Sequence, residues 1–265
     1  MYILETEHLT RRFGDLLAVD DLSITVQPGE VFGLLGPNGA GKTTTIKMLT
    51  TLLPPTSGTA RVAGLDIRRQ AGDVRRVIGY VPQMLSADGT LTGYENLLIF
   101  AKLYDLPHGQ RERRVREALG FMGLDDAADK LVRQYSGGMI RRLEIAQSML
   151  HAPRLLFLDE PTVGLDPVAR KAVWERIEEL RREYGTTILL TTHYMEEADS
   201  LCSRVAVMHL GRVAAIGSPA ELKASLGGAD KTLDDVFVHY TGMGLENGGS
   251  YRETLRSRRT ARRLG

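Results

Sequence analysis

The sequence predicts an α/β fold whose central sheet is mostly parallel. Four short apolar runs, at residues 31–35, 77–81, 155–158 and 188–190, have the length and composition of buried strands. Helical stretches separate these runs, and that alternation is typical of a parallel sheet covered by helices. The chain has 265 residues, of which 43% are hydrophobic, and this is enough to bury a sizeable core.

The N-terminal part predicts a different kind of β-structure. Residues 17–26 mix apolar and polar positions as a half-buried strand does, and the Pro-Gly pair at 28–29 predicts a turn before the first apolar run. We therefore expect an antiparallel β part near the N-terminus. After the first apolar run, residues 44–53 predict a helix that ends at a Pro-Pro pair, because proline cannot continue a helix.

The pattern changes in the middle of the chain. Residues 93–104, 110–122 and 137–150 all predict helices, with no convincing strand among them. We therefore expect an inserted helical lobe at about residues 84–151, within a domain of residues 1–240.

Composition narrows the class of protein. The formal net charge of +1 gives no field strong enough to indicate nucleic acid or a membrane surface as the main partner. The single cysteine, Cys202, excludes an intramolecular disulfide and predicts a buried side chain. The first residues lack the pattern of a secretion signal, and no apolar run approaches the roughly 18–20 residues that cross a bilayer. We expect a soluble or peripheral protein.

A glycine-rich loop directly after the first apolar run carries the strongest chemical signal. Gly36, Gly41, Lys42 and Thr43 match the pattern G-x-x-x-x-G-K-[ST], in which backbone N–H groups and a helix N-terminus surround phosphate oxygens. The pattern predicts Lys42 on the β- and γ-phosphates of a nucleotide and the Thr43 hydroxyl on Mg²⁺. The alternative is an ordinary glycine-rich turn. The candidate nucleotide-binding residues of the loop are Gly36, Pro37, Asn38, Gly39, Ala40, Gly41, Lys42, Thr43 and Thr44.

Two adjacent carboxylates, Asp159 and Glu160, end the third apolar run. Their side chains are expected on opposite sides of the strand unless the chain bends there, so we expect different roles. Asp159 suits Mg²⁺ binding, and Glu160 suits orientation and deprotonation of an attacking water. Taken alone, such a pair is more often a solvated strand end; beside a phosphate loop the functional interpretation is favoured.

Residues 135–139 open a helix and form a candidate second anion site. Ser136 and the amides of Gly137 and Gly138 are suited to hold a phosphate through N–H donation and the helix dipole. A structural N-cap explains the same residues equally well.

Several motifs in this order resemble those of an ABC transporter ATPase, a member of the P-loop NTPases. The resemblance covers about residues 2–225 and implies ATP hydrolysis with ATP and Mg²⁺ as ligands. The motifs that carry it are residues 36–44, 81–83, 135–139, 155–160, 164–167 and 191–193.

The resemblance also implies roles for residues that their surroundings alone do not single out. Gln83 is similar to the loop glutamine that senses Mg²⁺ and the membrane partner, and Asp166 to the loop that crosses between subunits. His193 is similar to the switch residue at the γ-phosphate, although taken alone it favours an ordinary packed or surface histidine. Phe13 stands where the family stacks an aromatic ring on adenine. The implied catalytic residues are Glu160, His193 and Gln83, and the implied metal site is Thr43, Gln83 and Asp159.

In the family, each ATP is enclosed between the phosphate loop of one subunit and residues like 136–138 of another. A chain with one copy of each motif therefore implies a homodimer or heterodimer, bound to integral-membrane permease subunits at the cytoplasmic face of the cell membrane. Finer features resemble ABC-2-type exporters, especially the daunorubicin-resistance-like group, so we expect efflux of a drug or other hydrophobic compound. These features are residues 51–58, Met139, residues 141–144 and residues 233–240.

Two alternatives belong to other functional classes. One is a soluble ABC-type ATPase that acts on nucleic acid or ribosomes without a permease. Such proteins usually carry two ATP modules, a coiled coil or zinc-binding insertions, and the sequence predicts none of these, so we expect no nucleic acid partner. The other is a small-molecule kinase, which would leave residues 135–139 and His193 unexplained.

The C-terminal part predicts two more helices, at residues 218–226 and 233–240, and then a glycine-rich hinge and an arginine-rich tail at residues 241–265. Residues 246–265 contain six arginines and two glutamates, a net charge of +4. A solvated extension is the simpler interpretation. The functional alternative is docking onto anionic lipid or an acidic permease surface.

Overall fold

Two β-sheets form the centre of the fold in the computed structural model, which describes residues 1–227 and 230–242. The larger sheet has six strands in the order β11-β10-β4-β9-β8-β7, and all its neighbours are parallel except β10 and β11. The smaller sheet is antiparallel, in the order β2-β1-β5-β6, with β3 also paired to β1. The strands are β1 (Leu4–Phe13), β2 (Leu16–Leu22), β3 (Thr25–Val26), β4 (Val31–Leu35), β5 (Ser57–Val62), β6 (Leu65–Asp66), β7 (Ile78–Val81), β8 (Leu155–Asp159), β9 (Thr187–Thr192), β10 (Arg204–His209) and β11 (Arg212–Gly217).

Helices separate most of the strands along the chain, and three α-helices and two short 3₁₀ turns follow one another between β7 and β8. The α-helices are α1 (Lys42–Leu49), α2 (Ala71–Val77), α3 (Gly93–Leu103), α4 (His108–Phe121), α5 (Gly137–Met149), α6 (Pro167–Tyr184), α7 (Met195–Leu201), α8 (Pro219–Ala224) and α9 (Leu233–Thr241). The 3₁₀ turns are Asp125–Ala127 and Val132–Gln134.

Two apolar clusters hold these layers together. One lies between the larger sheet and the helices α3 to α9, and the other between the two sheets around α1. Strands β4, β8 and β9 are buried along their whole length. A strand covered on both faces needs apolar side chains at consecutive positions, which is the pattern that the sequence shows in these three runs.

The predicted fold class is confirmed: an α/β fold with a mostly parallel central sheet and an antiparallel N-terminal part. Residues 17–26, predicted as one strand, form the two strands β2 and β3. The Thr6 hydroxyl accounts for the interruption, because it donates to the Leu22 carbonyl at 3.0 Å and accepts from the Ile24 amide at 2.9 Å. The helix predicted at 44–53 ends earlier, at Leu49, since Thr51 has a left-handed backbone with φ of 64°.

The remaining predictions concern membrane crossing and the C-terminus. Within the described residues, no helix combines the length and the apolar composition needed to cross a bilayer. Cys202 is buried as expected, and burial raises the pKa of its thiol. The proposed hinge and arginine-rich tail lie outside the described residues from position 243 onward.

Candidate nucleotide site

The glycine-rich loop connects β4 to α1 along a path that two of its glycines make possible. A Cβ atom at Gly36 would lie 2.3 Å from the Met208 carbonyl oxygen, and one at Gly41 would lie 2.5 Å from the Ala18 carbonyl oxygen. Gly41 also has φ of 105°, which side chains rarely tolerate, and it precedes the first residue of α1. No side chain among the described residues caps this helix start. Its backbone amides are therefore suited to hold an anion.

Lys42 is the first residue of α1, and its side chain is only 4% exposed. Its Nζ donates to the carbonyl oxygens of Gly36 at 2.7 Å and Pro37 at 3.2 Å, and it lies 3.0 Å from Glu160 Oε1. Burial lowers the pKa of Lys42, while the negative charge of Glu160 opposes that shift. The loop is thus folded back around a buried ammonium group.

Asp159 stands at the end of β8, beside the first turn of α1. Its Oδ1 accepts from the hydroxyl of Thr43 at 3.0 Å and from that of Thr191 at 2.6 Å. Its Oδ2 is buried and has no hydrogen-bond partner among the described residues. Burial raises the pKa of this carboxyl. A hard cation prefers oxygen donors, so the unpartnered Oδ2 and the Thr43 hydroxyl fit Mg²⁺.

Glu160 is the next residue, and its backbone is left-handed, with φ of 49°. This conformation is uncommon for a residue with a long side chain and is often found at functional sites. The Glu160 amide donates to the Thr191 hydroxyl at 2.9 Å, which anchors the bend to β9. Burial alone raises the pKa of Glu160, but its hydrogen bond with His193 and the charge of Lys42 outweigh that effect and hold the pKa below its usual value.

The bend decides where the two carboxylates point. In a regular strand, adjacent side chains face opposite sides. Here the chain turns at Glu160, so Asp159 contacts Thr43 while Glu160 contacts Lys42, and both carboxylates meet the first turn of α1. The sequence placed the two side chains on opposite sides of the strand unless the chain bends, and the structure shows that it bends.

His193 follows β9 and completes this group of contacts. Its Nδ1 lies 2.8 Å from Glu160 Oε2, and its side chain is 27% exposed. Glu160 is consequently held between a cation and an imidazole. The structure thus joins five of the predicted residues by direct contacts: Lys42, Thr43, Asp159, Glu160 and His193.

Phe13 and Gln83 lie outside this group. In the part of the chain that the structure describes, neither makes a hydrogen bond or ion pair to it. Phe13 ends β1 with a 43% exposed ring, and the guanidinium of Arg11 lies 4.5 Å from the ring centroid. Gln83 follows β7 with an exposed side chain, while its backbone carbonyl accepts from Arg141 at 2.8 Å.

The predicted second anion site lies where the starts of α5 and α6 meet. Ser136 caps α5, and Asp166 caps α6 through two backbone amides. Gly138 packs closely on Ala169, because an added Cβ would lie 2.9 Å from the Ala169 Cβ. A cavity of about 290 Å³ is lined by Ser136, Gly138 and Asp166 among others. The structure therefore brings these predicted residues together and shows Ser136 acting as an N-cap.

Two contributors were missed as site residues. The Thr191 hydroxyl binds Asp159 and also accepts from the Glu160 amide. The signal available in the sequence was a threonine near the end of a buried apolar strand. Glu197 is buried and accepts from Thr162, just after the carboxylate pair, at 2.6 Å and from the Trp174 indole at 2.8 Å. The sequence pattern gives no sign of this role, because the partners of Glu197 are distant in the chain.

The fold and this arrangement of loop, lysine and carboxylates define a P-loop ATPase. A family model described as ABC transporter matches residues 19–163, which is more than half of the chain. The protein belongs to the ABC transporter family, as an ATP-binding and ATP-hydrolysing subunit. The predictions of the family and of ATPase activity are confirmed.

The alignments to curated relatives cover most of the chain. The daunorubicin/doxorubicin resistance ATP-binding protein of Streptomyces peucetius is 50% identical over 84% of this chain and 68% of its own length. The Nod factor export ATP-binding protein I of Cupriavidus metallidurans is 47% identical over 86% of this chain and 75% of its own length. A dimeric ATP-binding cassette, solved in a post-hydrolysis state with ADP and Pi, aligns with a TM-score of 0.72 at 25% identity, covering 81% of this chain and 98% of that one.

Proposed function

We propose that this chain hydrolyses Mg-ATP to power export through separate membrane permease subunits, with a drug or other hydrophobic compound as cargo. The observation that carries the ATPase part is the contact of Glu160 with both Lys42 and His193 beside the phosphate loop. The export part is supported by the relatives above, whose names specify drug resistance and Nod factor export. We place the protein at the cytoplasmic face of the membrane.

We propose that Thr43 and Asp159 hold Mg²⁺, with Gln83 as a further contact. When bound, Mg²⁺ neutralises phosphate charge that develops during cleavage. The unpartnered Oδ2 of Asp159 supports this assignment, because a buried carboxylate oxygen without a donor is costly. Burial raises the pKa of Asp159, and a nearby cation would favour its ionised form.

Glu160 is assigned as the general base and His193 as the residue that orients it. The low pKa keeps Glu160 ionised at neutral pH, so it can accept a proton from water. A phosphate oxygen that accepts from Lys42 Nζ would compete with Glu160 Oε1, now 3.0 Å away. Losing the neighbouring positive charge raises the proton affinity of Glu160. Nucleotide binding therefore makes the base stronger.

We propose a composite site between two such subunits, with Ser136, Gly137 and Gly138 facing the partner's ATP, Asp166 at the subunit junction and Phe13 stacking on adenine. The supporting observations are the joined starts of α5 and α6 and the dimeric cassette with similar structure. The exposed ring of Phe13 leaves a π-face available. Residues 84–151 form the helical lobe that carries the Ser136 segment, within a domain of residues 1–240.

The experiment is phosphate release by the purified protein with Mg-ATP, followed by transport in cells that also express the membrane protein that co-purifies with it. We expect phosphate release without transfer to a small-molecule acceptor, and efflux of a fluorescent anthracycline that is lost in the Lys42→Ala variant. Equal efflux with wild type and Lys42→Ala would contradict the export role. Phosphate transferred to an acceptor would contradict the ATPase assignment.

A further inference from the structure

Two oppositely charged side chains are buried in α5, close to the Ser136 segment. Arg141 and Glu144 lie three residues apart, each side chain is only 2% exposed, and Arg141 Nη1 lies 3.0 Å from Glu144 Oε2. Removing two charges from water costs desolvation energy, and the attraction within the pair alone often does not offset that cost. A buried ion pair therefore needs further hydrogen bonds to groups outside the pair, and those groups indicate its role.

Arg141 binds the start of the loop that follows β7. Its Nη1 donates to the Pro82 carbonyl at 2.7 Å, and its Nη2 donates to the Gln83 carbonyl at 2.8 Å. The rigid guanidinium fork matches two acceptors at once, which a lysine cannot do. Burial lowers the pKa of Arg141, while the charge of Glu144 opposes this, and arginine stays protonated in proteins.

Glu144 binds the same loop a few residues further along. Its Oε1 accepts from the Ser86 backbone amide and from the Ser86 hydroxyl, the latter at 3.1 Å. The two side chains therefore hydrogen-bond to the loop on both sides of residues 84–85. Hydrogen bonds to charged groups are stronger than those between neutral groups, so these bonds hold the loop firmly against α5.

We propose that Arg141 and Glu144 are positioning residues for ATP hydrolysis: they fix the backbone of residues 82–86 to the helix that begins at Ser136, and so set where the Gln83 side chain sits. This inference rests on the proposed function, in which Gln83 and Ser136 serve two sides of the composite site. Hydrolysis depends steeply on geometry, and a small displacement of a positioning group lowers the rate without altering the residues that hold the nucleotide.

The first test measures the connection itself by amide hydrogen exchange in the absence of nucleotide. In Arg141→Lys and Glu144→Gln, we expect exchange in the peptide that contains residues 82–88 to be about tenfold faster than in wild type, because charge-assisted bonds to the loop are lost. The control is Arg176→Met, which breaks a partly exposed Arg–Glu pair of the same spacing on α6, between Arg176 and Glu179. Wild-type exchange in Arg141→Lys would overturn the proposal.

The second test separates positioning from general stability. In Arg141→Lys we expect kcat for ATP to fall about tenfold with KM changed less than twofold, whereas Arg176→Met keeps wild-type values. A charge exchange, Arg141→Glu with Glu144→Arg, restores the ion pair but turns a carboxylate toward two carbonyls and a guanidinium toward an amide. We expect it to keep fast loop exchange and low kcat. Recovery of both would show that only the ion pair matters and would overturn the proposal; if this variant does not fold, Arg141→Lys decides.

The outcomes also distinguish this proposal from the proposed function. Loop exchange is measured without ATP, so it reports the connection whether or not the protein hydrolyses ATP. If wild type releases no phosphate, the proposed function fails. If wild type is active and Arg141→Lys combines fast loop exchange with a wild-type kcat, the positioning role fails and the function stands.

Discussion

Glu160→Gln is the perturbation that probes the site most completely. The substitution keeps the size of the side chain and removes its charge, at a point 3.0 Å from Lys42 Nζ and 2.8 Å from His193 Nδ1. Thr43, Asp159 and the loop amides are untouched. We therefore expect Mg-ATP binding to persist while cleavage slows.

The rate effect follows from the loss of a positioned general base, which contributes about 10²–10⁴ to the rate, or about 3–5 kcal/mol of transition-state stabilisation. The stability effect follows from the buried Lys42. Removing one partner of a buried ion pair costs about 3–5 kcal/mol, and the amide oxygen can still accept a hydrogen bond, so we expect about 3 kcal/mol. For a protein of this size that corresponds to a thermal midpoint about 6–12 °C lower.

The pH dependence has a definite sign. Because the pKa of Glu160 in the fold lies below its unfolded value of 4.5, the charge stabilises the wild type above that pH, and this contribution is lost as the pH falls through the folded pKa. The difference in thermal midpoint between wild type and Glu160→Gln should therefore shrink below pH 4.5. Bound ATP should narrow the gap at neutral pH, because its phosphates supply negative charge to Lys42.

The assays are phosphate release, binding of a fluorescent ATP analogue and thermal unfolding with and without Mg-ATP. A Glu160→Gln protein that hydrolyses ATP at a rate within threefold of wild type would refute the assignment of the base. A midpoint equal to that of wild type at pH 7 would refute the stabilising role of the Lys42–Glu160 pair.

Three further substitutions test other parts of the site. Lys42→Ala should abolish tight ATP binding in an equilibrium titration, because the buried positive charge at the phosphates is lost; wild-type affinity would contradict the loop assignment. Ser136→Arg should leave binding of ATP to the monomer intact and abolish phosphate release, because a bulky side chain fills the surface that faces the partner's nucleotide. Asp159→Asn should abolish Mg²⁺-dependent hydrolysis yet raise the thermal midpoint at pH 7. The folded pKa of Asp159 is raised, so this carboxyl destabilises the fold as the pH rises above its unfolded pKa of 3.8, and the neutral amide does not. An unchanged or lower midpoint would contradict the cost ascribed to this buried carboxylate.

Features that depend on local pattern could be predicted from the sequence. Buried strands such as β4 show as apolar runs, and the phosphate loop shows as glycines at fixed spacing. The left-handed bend at Glu160 was left open by the sequence, which placed the two adjacent carboxylates on opposite sides of the strand unless the chain bends there.

Features that depend on distant partners could not be predicted. The burial of Arg141 and Glu144 is one such feature, because charged residues normally face solvent. They are buried because the loop after β7 crosses α5 and supplies carbonyl and amide partners more than fifty positions away in sequence. The interruption between β2 and β3 has a similar origin, in a side chain of the neighbouring strand β1.

The central claim is that ATP is held between two copies of the site, by the phosphate loop of one subunit and the Ser136 segment of the other. Light scattering after size exclusion tests it directly, using Glu160→Gln with saturating Mg-ATP so that cleavage does not release the complex. We predict about twice the monomer mass with ATP, the monomer mass without it, and the monomer mass with ATP when Ser136→Arg is added. A strict monomer for Glu160→Gln at high protein concentration and saturating Mg-ATP would contradict the account.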